Sequence, residues 1–169
     1  MGVMKTAAVK GVIPAGNKVS ELRSNLMRLM TEMSRVLDER FGSDGLEAVS
    51  EIFRRLGEED AIAMKDRLGF GDTLKDAHDA WMVIGHIMGS KMKSEWISEN
   101  RVEFHHLYCP QYDTFNERGK LYCDSVCLPY VSAVAAMGKG VVTDVVKAAD
   151  DVGPCIKGLS TKQESVMSN

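Results

Sequence analysis

The residues best suited to chemistry are four cysteines, Cys109, Cys123, Cys127 and Cys155, and the first 108 residues of the chain contain none. Their spacing, C-x13-C-x3-C-x27-C, differs from the paired C-x2-C knuckles of most structural zinc sites. Four thiolates form a soft ligand set, which selects zinc or an iron-sulfur cluster over oxygen-preferring cations. We therefore predict a shared centre in which all four bind a 4Fe-4S cluster or, as the second choice, zinc. For Cys127 alone, the simpler role of a small buried hydrophobic residue is favoured.

Three separate elements are needed to position these thiols. Cys123 and Cys127 are four residues apart in a segment typical of a helix, which places them on one face with about 5–6 Å between Cβ atoms. Cys109 is predicted to begin the preceding helix, and Cys155 to lie on the return strand of a final hairpin. A metal bound by all four would join helices to sheet.

Two consecutive histidines precede the first cysteine and are the candidate catalytic residues. Strand alternation places His105 and His106 on opposite faces, so only one can point toward the cysteines. His106 shares its face with Phe104 and Tyr108. Either imidazole could transfer a proton near neutral pH, although one packed and one exposed histidine is the simpler arrangement.

The N-terminal half of the chain is predicted to be helical throughout. Apolar residues recur every three or four positions from Val19 to Phe41 and again in later segments, which predicts four helices over residues 19–41, 43–57, 58–69 and 73–91. Gly57 is placed as the stop of the second helix. Trp81 is predicted to lie on the buried face of the fourth, together with Leu74, Ala77 and Ile84.

The second half alternates between strands and helices. Residues 92–108 and 140–160 each show the pattern of a β-hairpin, whereas 109–119 and 120–138 are predicted helices, the latter bent or restarted at Pro129. This order predicts an α+β domain, in which N-terminal helices pack with a small antiparallel sheet of two hairpins and further helices are inserted between the hairpins.

Length and composition predict one globular domain, residues 19–160, between a flexible arm (1–18) and a polar tail (161–169). A formal net charge of −3 gives no attraction to nucleic acid, and no apolar run is long enough for a membrane span. The N-terminus lacks the continuous apolar core of a secretory signal, so a cytoplasmic location is expected. In that reducing compartment, clustered cysteines serve as ligands or redox groups more often than as disulfides. The long methionine-rich first helix suggests a homodimer.

Three short motifs also carry a resemblance to a known family. The order "EFHHLYCP", "LYCDSVC" and "DDVGPC" resembles the family named for L-2-amino-thiazoline-4-carboxylic acid hydrolase, together with related vinyl-reductase-like small-molecule domains. The resemblance covers residues 75–160. Matching positions are Cys109, Pro110, Cys123, Cys127, Gly153 and Cys155. Family members often carry an acidic residue soon after the second helix cysteine, where this chain has "LPY".

The resemblance implies a small-molecule substrate and hydrolytic opening of a cyclic, amidine-like C–N bond. Such chemistry needs an activated water or thiolate, a proton donor for the ring nitrogen and a cation for the substrate carboxylate. A metal at the cysteines could supply the water, and His105 or His106 the proton. Two alternatives stay open: a thiazoline-opening hydrolase that uses a reactive cysteine without a cluster, and a ligand-binding or regulatory domain without catalysis.

Overall fold

The computed structural model describes residues 11–161, and the elements within this range confirm the predicted α+β class. In chain order the elements are α1 (Ala15–Phe41), α2 (Ser43–Leu68), α3 (Leu74–Met88), β1 (Lys91–Ser98), β2 (Arg101–Tyr108), α4 (Pro110–Glu117), α5 (Cys127–Ala135), β3 (Val141–Lys147) and β4 (Ile156–Thr161). Over these residues, no helix combines the length and apolarity needed to cross a membrane.

The sheet consists of the two predicted hairpins, joined edge to edge. Its strand order is β1-β2-β4-β3 and every pairing is antiparallel. The inner strands, β2 and β4, pair with Val102 opposite Leu159. Those two side chains and Phe104 are fully buried, so one face of the sheet forms the floor of the core.

Helix α3 covers this floor and begins at a capping box. The Thr73 hydroxyl accepts a hydrogen bond from the Asp76 backbone N–H, and the Asp76 carboxylate accepts one from the Thr73 N–H. Trp81 is 4% exposed, with its ring centroid 4.8 Å from that of Phe104. Its indole N–H donates to the carbonyl oxygen of Val131 in α5 at 2.8 Å. The predicted burial of Trp81 is confirmed.

The second and third predicted helices are one continuous helix, α2, so the prediction of a helix end at Gly57 is wrong. Gly57 is buried at the crossing of α2 and α5. A Cβ atom there would lie 2.4 Å from the carbonyl oxygen of Tyr130 and 2.9 Å from Cβ of Ala133. The glycine therefore permits close approach of two helices instead of ending one.

Two other boundaries differ from the sequence prediction. Helix α1 begins at Ala15 instead of residue 19, while residues 1–10 of the predicted arm and 162–169 of the predicted tail lie outside the described range. The predicted helix over 120–138 is limited to Cys127–Ala135, preceded by turns. Pro129 therefore lies in the first turn of α5, where its missing N–H costs no helical hydrogen bond, and it does not bend an existing helix.

Candidate functional site

Three of the four cysteines lie at the ends of elements, and the fourth lies in a turn. Cys109 immediately precedes α4, Cys127 is the first residue of α5, and Cys155 immediately precedes β4. Cys123 lies in the turn before α5, so the prediction that it shares a helix face with Cys127 is wrong, as is the placement of Cys155 within the strand. The sulfurs are all free thiols.

The ammonium group of Lys157 lies between two of these thiols. Its Nζ atom is 3.0 Å from Sγ of Cys155 and 3.3 Å from Sγ of Cys127. Lys157 is only 3% exposed, and no carboxylate in the described part of the chain forms an ion pair with it. Burial opposes its charge, but the electrostatic interactions and hydrogen bonds with Cys127 and Cys155 outweigh burial and raise the pKa of Lys157. The site therefore contains a buried cation with sulfur partners.

Burial opposes ionisation of Cys109 and Cys123. Burial raises the pKa of Cys109, and burial together with the neighbouring charge of Cys127 raises the pKa of Cys123 to about 12. Cys109 and Cys127 line the same cavity as Lys157, whose Nζ atom contacts Cys127 and Cys155, so these three cysteines lie in one region.

The convergence stops short of a metal-binding arrangement. Among residues 11–161, no group of three or more histidine, cysteine, aspartate or glutamate side chains is close enough to hold a metal ion. The point that the sulfurs of Cys127 and Cys155 share is occupied by the Lys157 ammonium. The chemistry of the donor set fits a soft metal, whereas its present geometry does not.

The two histidines occupy opposite faces of β2, and only His106 lies at the site. Its Nδ1 atom is 3.2 Å from the carbonyl oxygen of Cys155. Burial, with a smaller contribution from the Lys157 charge, lowers the pKa of His106 to about 4, so the ring is neutral at pH 7. His105 lies near Glu103, and its Nε2 atom has no hydrogen-bond partner among the described residues.

A cavity of about 550 Å³ adjoins the thiols, and its wall includes Cys109, Cys127, His106 and Lys157. The rest of the wall is largely apolar and comes mainly from helices α1, α2, α3 and α5, with Met92 contributed by β1. Its principal apolar residues are Leu26, Met27, Met30, Phe53, Met64, Trp81, Ile84, Met88, Met92 and Val131. The cavity therefore combines a broad apolar surface with a small set of polar groups.

Gln111 adds an unsatisfied donor to that polar set. It lies in the first turn of α4, lines the cavity and is 8% exposed. Its Nε2 atom is buried and has no hydrogen-bond partner in the described part of the chain. An unpaired buried amide is costly, so a donor of this kind next to a cavity indicates a ligand acceptor.

Sequence reasoning missed both Lys157 and Gln111. For Lys157 a signal exists, because strand alternation places it on the same face as Cys155 and the core residue Leu159. A lysine at such a position is unusual enough to mark a functional site. For Gln111 there is no signal in the sequence, because its burial depends on how α4 docks.

Comparisons with known proteins give the fold a precedent. No family model matches the sequence, and no curated protein sequence matches it. Among solved structures, the chain is similar to the phenol-responsive sensory domain of the transcription activator PoxR, solved with phenol, at a TM-score of 0.57 and 15% identity. The match covers 81% of this chain and 72% of that one. At this level of identity, the likeness establishes a shared fold.

Proposed function

We propose that this chain is a small-molecule-binding domain whose ligand has an apolar body and an acidic or hydrogen-bond-accepting head group. The observation that carries the proposal is the cavity of about 550 Å³, which joins apolar walls to Lys157 and Gln111. Ligand sites typically have volumes of about 300–1,000 Å³, apolar linings and a few polar groups that orient the ligand.

The apolar walls account for the body of the ligand. Trp81 offers an aromatic surface, and five methionines adapt their unbranched side chains to irregular shapes. A single aromatic ring or a short aliphatic chain suits such a wall. Phenol, bound by the structurally similar PoxR domain, belongs to this class.

The polar groups account for the head group. Lys157 contributes a buried positive charge, Gln111 an unpaired donor, and His106 a neutral imidazole. A phenolate or carboxylate oxygen would accept hydrogen bonds from Lys157 and Gln111 together. A buried charge is costly unless it is paired, so the cation favours an anionic head group over a neutral one.

Paired ligands and a lysine variant test this proposal. We expect benzoate to bind the wild-type protein more tightly than benzamide, which has the same shape but no charge. Lys157→Met should weaken benzoate binding roughly 10- to 150-fold, since hydrogen bonds to charged groups contribute about 1.5–3 kcal/mol. Titration calorimetry measures both affinities, and thermal unfolding verifies that each variant is folded.

Two further variants define the control. Gln111→Leu should weaken the binding of both benzoate and benzamide, because it removes a hydrogen-bond donor that either head group can use. Lys93→Met removes an exposed lysine from β1, outside the residues that line the cavity, and should leave both affinities unchanged. Equal binding of benzoate and benzamide, with no effect of Lys157→Met, would contradict the assignment of the head group. Absence of binding by any aromatic probe would contradict the ligand-binding function itself.

A second proposal is the four-cysteine metal centre, with Cys109, Cys123, Cys127 and Cys155 holding a 4Fe-4S cluster or zinc. The supporting observation is that the sulfurs of Cys127 and Cys155 both contact Lys157, with Cys109 in the wall of the same cavity. Thiolates bound to a metal carry net negative charge, and the Lys157 ammonium would offset part of it by donating to sulfur. Closure of the centre requires the thiol side chains to turn toward a common point.

Metal analysis tests the second proposal. We expect anaerobically purified wild-type protein to contain stoichiometric iron or zinc, and Cys123→Ser and Cys127→Ser to lose most of it, because the remaining thiolates cannot complete a four-ligand set. A brown colour would identify the cluster, and a colourless protein with bound metal would identify zinc. Ser125→Ala, between the two cysteines, serves as the control. Unchanged metal content in both cysteine variants would rule out a shared centre.

Thiazoline ring opening remains a prediction of the family resemblance. Cys127 lines the cavity with its Sγ atom 3.3 Å from Nζ of Lys157, so a thiol and a cation lie side by side in the cavity wall. Lys157 also offers the cation that the substrate carboxylate requires. Of the two predicted catalytic histidines, only His106 lies in the cavity wall, so only His106 is placed to contact a bound substrate.

A further inference from the structure

A row of apolar side chains on α1 is exposed to solvent and separate from the helix face that packs into the core. The exposed row contains Val19, Leu22, Leu26, Leu29 and Val36, of which Leu22 and Leu29 are 68% and 64% exposed. The core-facing residues of the same helix are Met27, Met30, Thr31 and Ser34. The row therefore has no partner within the described part of the chain.

The spacing of this row is that of a coiled-coil seam. With the half-buried Met33 included, the positions advance alternately by three and four residues from Val19 to Val36. Such a heptad repeat keeps one stripe facing a second helix over several turns. Contiguous exposed apolar surface of this kind marks an interaction site in a folded protein.

We propose that α1 pairs antiparallel with α1 of a second copy of this chain, about a two-fold axis between Leu26 and Leu29. In that register Val19 packs on Val36 of the second copy, Leu22 on its Met33 and Leu26 on its Leu29. The row is thus complementary to itself, as a two-fold interface requires.

The flanking charges select the antiparallel orientation. Antiparallel pairing brings Lys18 next to Glu39 of the second copy, once on each side of the axis. Parallel pairing at the same seam would bring Lys18 next to Arg23 of the second copy, which places like charges together. Unlike charges beside a seam set partner orientation.

This dimer would also affect the cavity, although the proposal does not depend on ligand binding. Leu26 belongs to both the seam and the cavity wall. The helix of the second copy would therefore lie beside the cavity and cover Leu26. Removing the seam contacts tests the dimer without altering Lys157 or Gln111.

Light scattering after size exclusion measures the assembly state. At about 50 µM we expect a mass near twice the 18.6 kDa of one chain. The double variant Leu22→Glu, Leu29→Glu should be monomeric with unchanged helical circular dichroism, because both side chains are exposed in the single chain. Ile62→Glu, at a 63% exposed position of α2, is the control and should remain dimeric. A monomeric wild type, or a dimeric double leucine variant, would overturn the proposal.

A charge exchange tests the orientation. Lys18→Glu and Glu39→Lys should each weaken the dimer roughly 2- to 30-fold at low salt, since each dimer contains two exposed pairs worth about 0.2–1 kcal/mol apiece. The double variant should recover most of the loss. Because Glu39 also contacts Arg35 in its own helix, thermal unfolding of each variant separates folding from assembly. Failure of the double variant to recover would overturn the antiparallel register.

Discussion

Replacing Trp81 with alanine is expected to lower the free energy of unfolding by about 3–5 kcal/mol, the range for deleting a large buried aromatic side chain. Trp81 packs on Phe104 with 4.8 Å between ring centroids and donates to the Val131 carbonyl. Alanine removes the contact between α3 and the sheet as well as the bond to α5. Urea unfolding followed by circular dichroism measures the loss.

Two controls separate the contributions of Trp81. Trp81→Phe keeps most of the packing but removes the indole hydrogen bond to the Val131 carbonyl, so we expect a loss of about 0.5–1.5 kcal/mol. Trp96→Ala removes a tryptophan that is 44% exposed and should change stability much less. If Trp81→Ala were as mild as Trp96→Ala, the indole would not join α3 to the sheet and α5.

Replacing Gly57 with alanine is expected to destabilise the protein by about 1–3 kcal/mol and to weaken ligand binding at the same time. The added Cβ would collide with the Tyr130 carbonyl, and a backbone atom cannot rotate aside. Helix α5 must then move, and it carries Cys127, Tyr130 and Val131 of the cavity wall.

The matched control is Gly16→Ala in the first turns of α1. No atom lies within 4 Å of a Cβ at Gly16, so alanine there should stabilise the helix by about 0.5–1 kcal/mol. The two substitutions are chemically identical and should have opposite signs. Stabilisation by Gly57→Ala would show that α2 and α5 tolerate a wider separation.

The sequence allowed prediction of the elements whose signals are local. Residue alternation indicated both hairpins, and the helix predicted over residues 73–91 corresponds to α3, which follows the N-cap residue Thr73. Gly57 was misinterpreted because a glycine that ends a helix and a glycine that lets another helix approach look the same in sequence. Only the position of α5 distinguishes them.

The sequence singled out the cysteines of the candidate site, but it did not lead us to Lys157 and Gln111. The four thiols could be grouped because cysteine is absent from the rest of the chain. Lys157 was overlooked, although strand alternation places it on the same buried face as Cys155. Gln111 depends on the docking of α4, which involves residues distant in sequence, so no local pattern could reveal it.

Two kinds of residue would contact a ligand of the proposed class: the flexible methionines of the cavity wall and the fixed Lys157. Met27, Met30, Met64, Met88 and Met92 each have several rotatable bonds, so this part of the wall can reshape around ligands of different outline. The Lys157 side chain cannot adapt in this way, because two sulfur contacts fix its position. For a ligand of the proposed kind, the polar groups would set its chemical class, whereas the wall would allow its shape to vary within that class. A change of ligand class would then require substitution at one polar position and no rebuilding of the cavity.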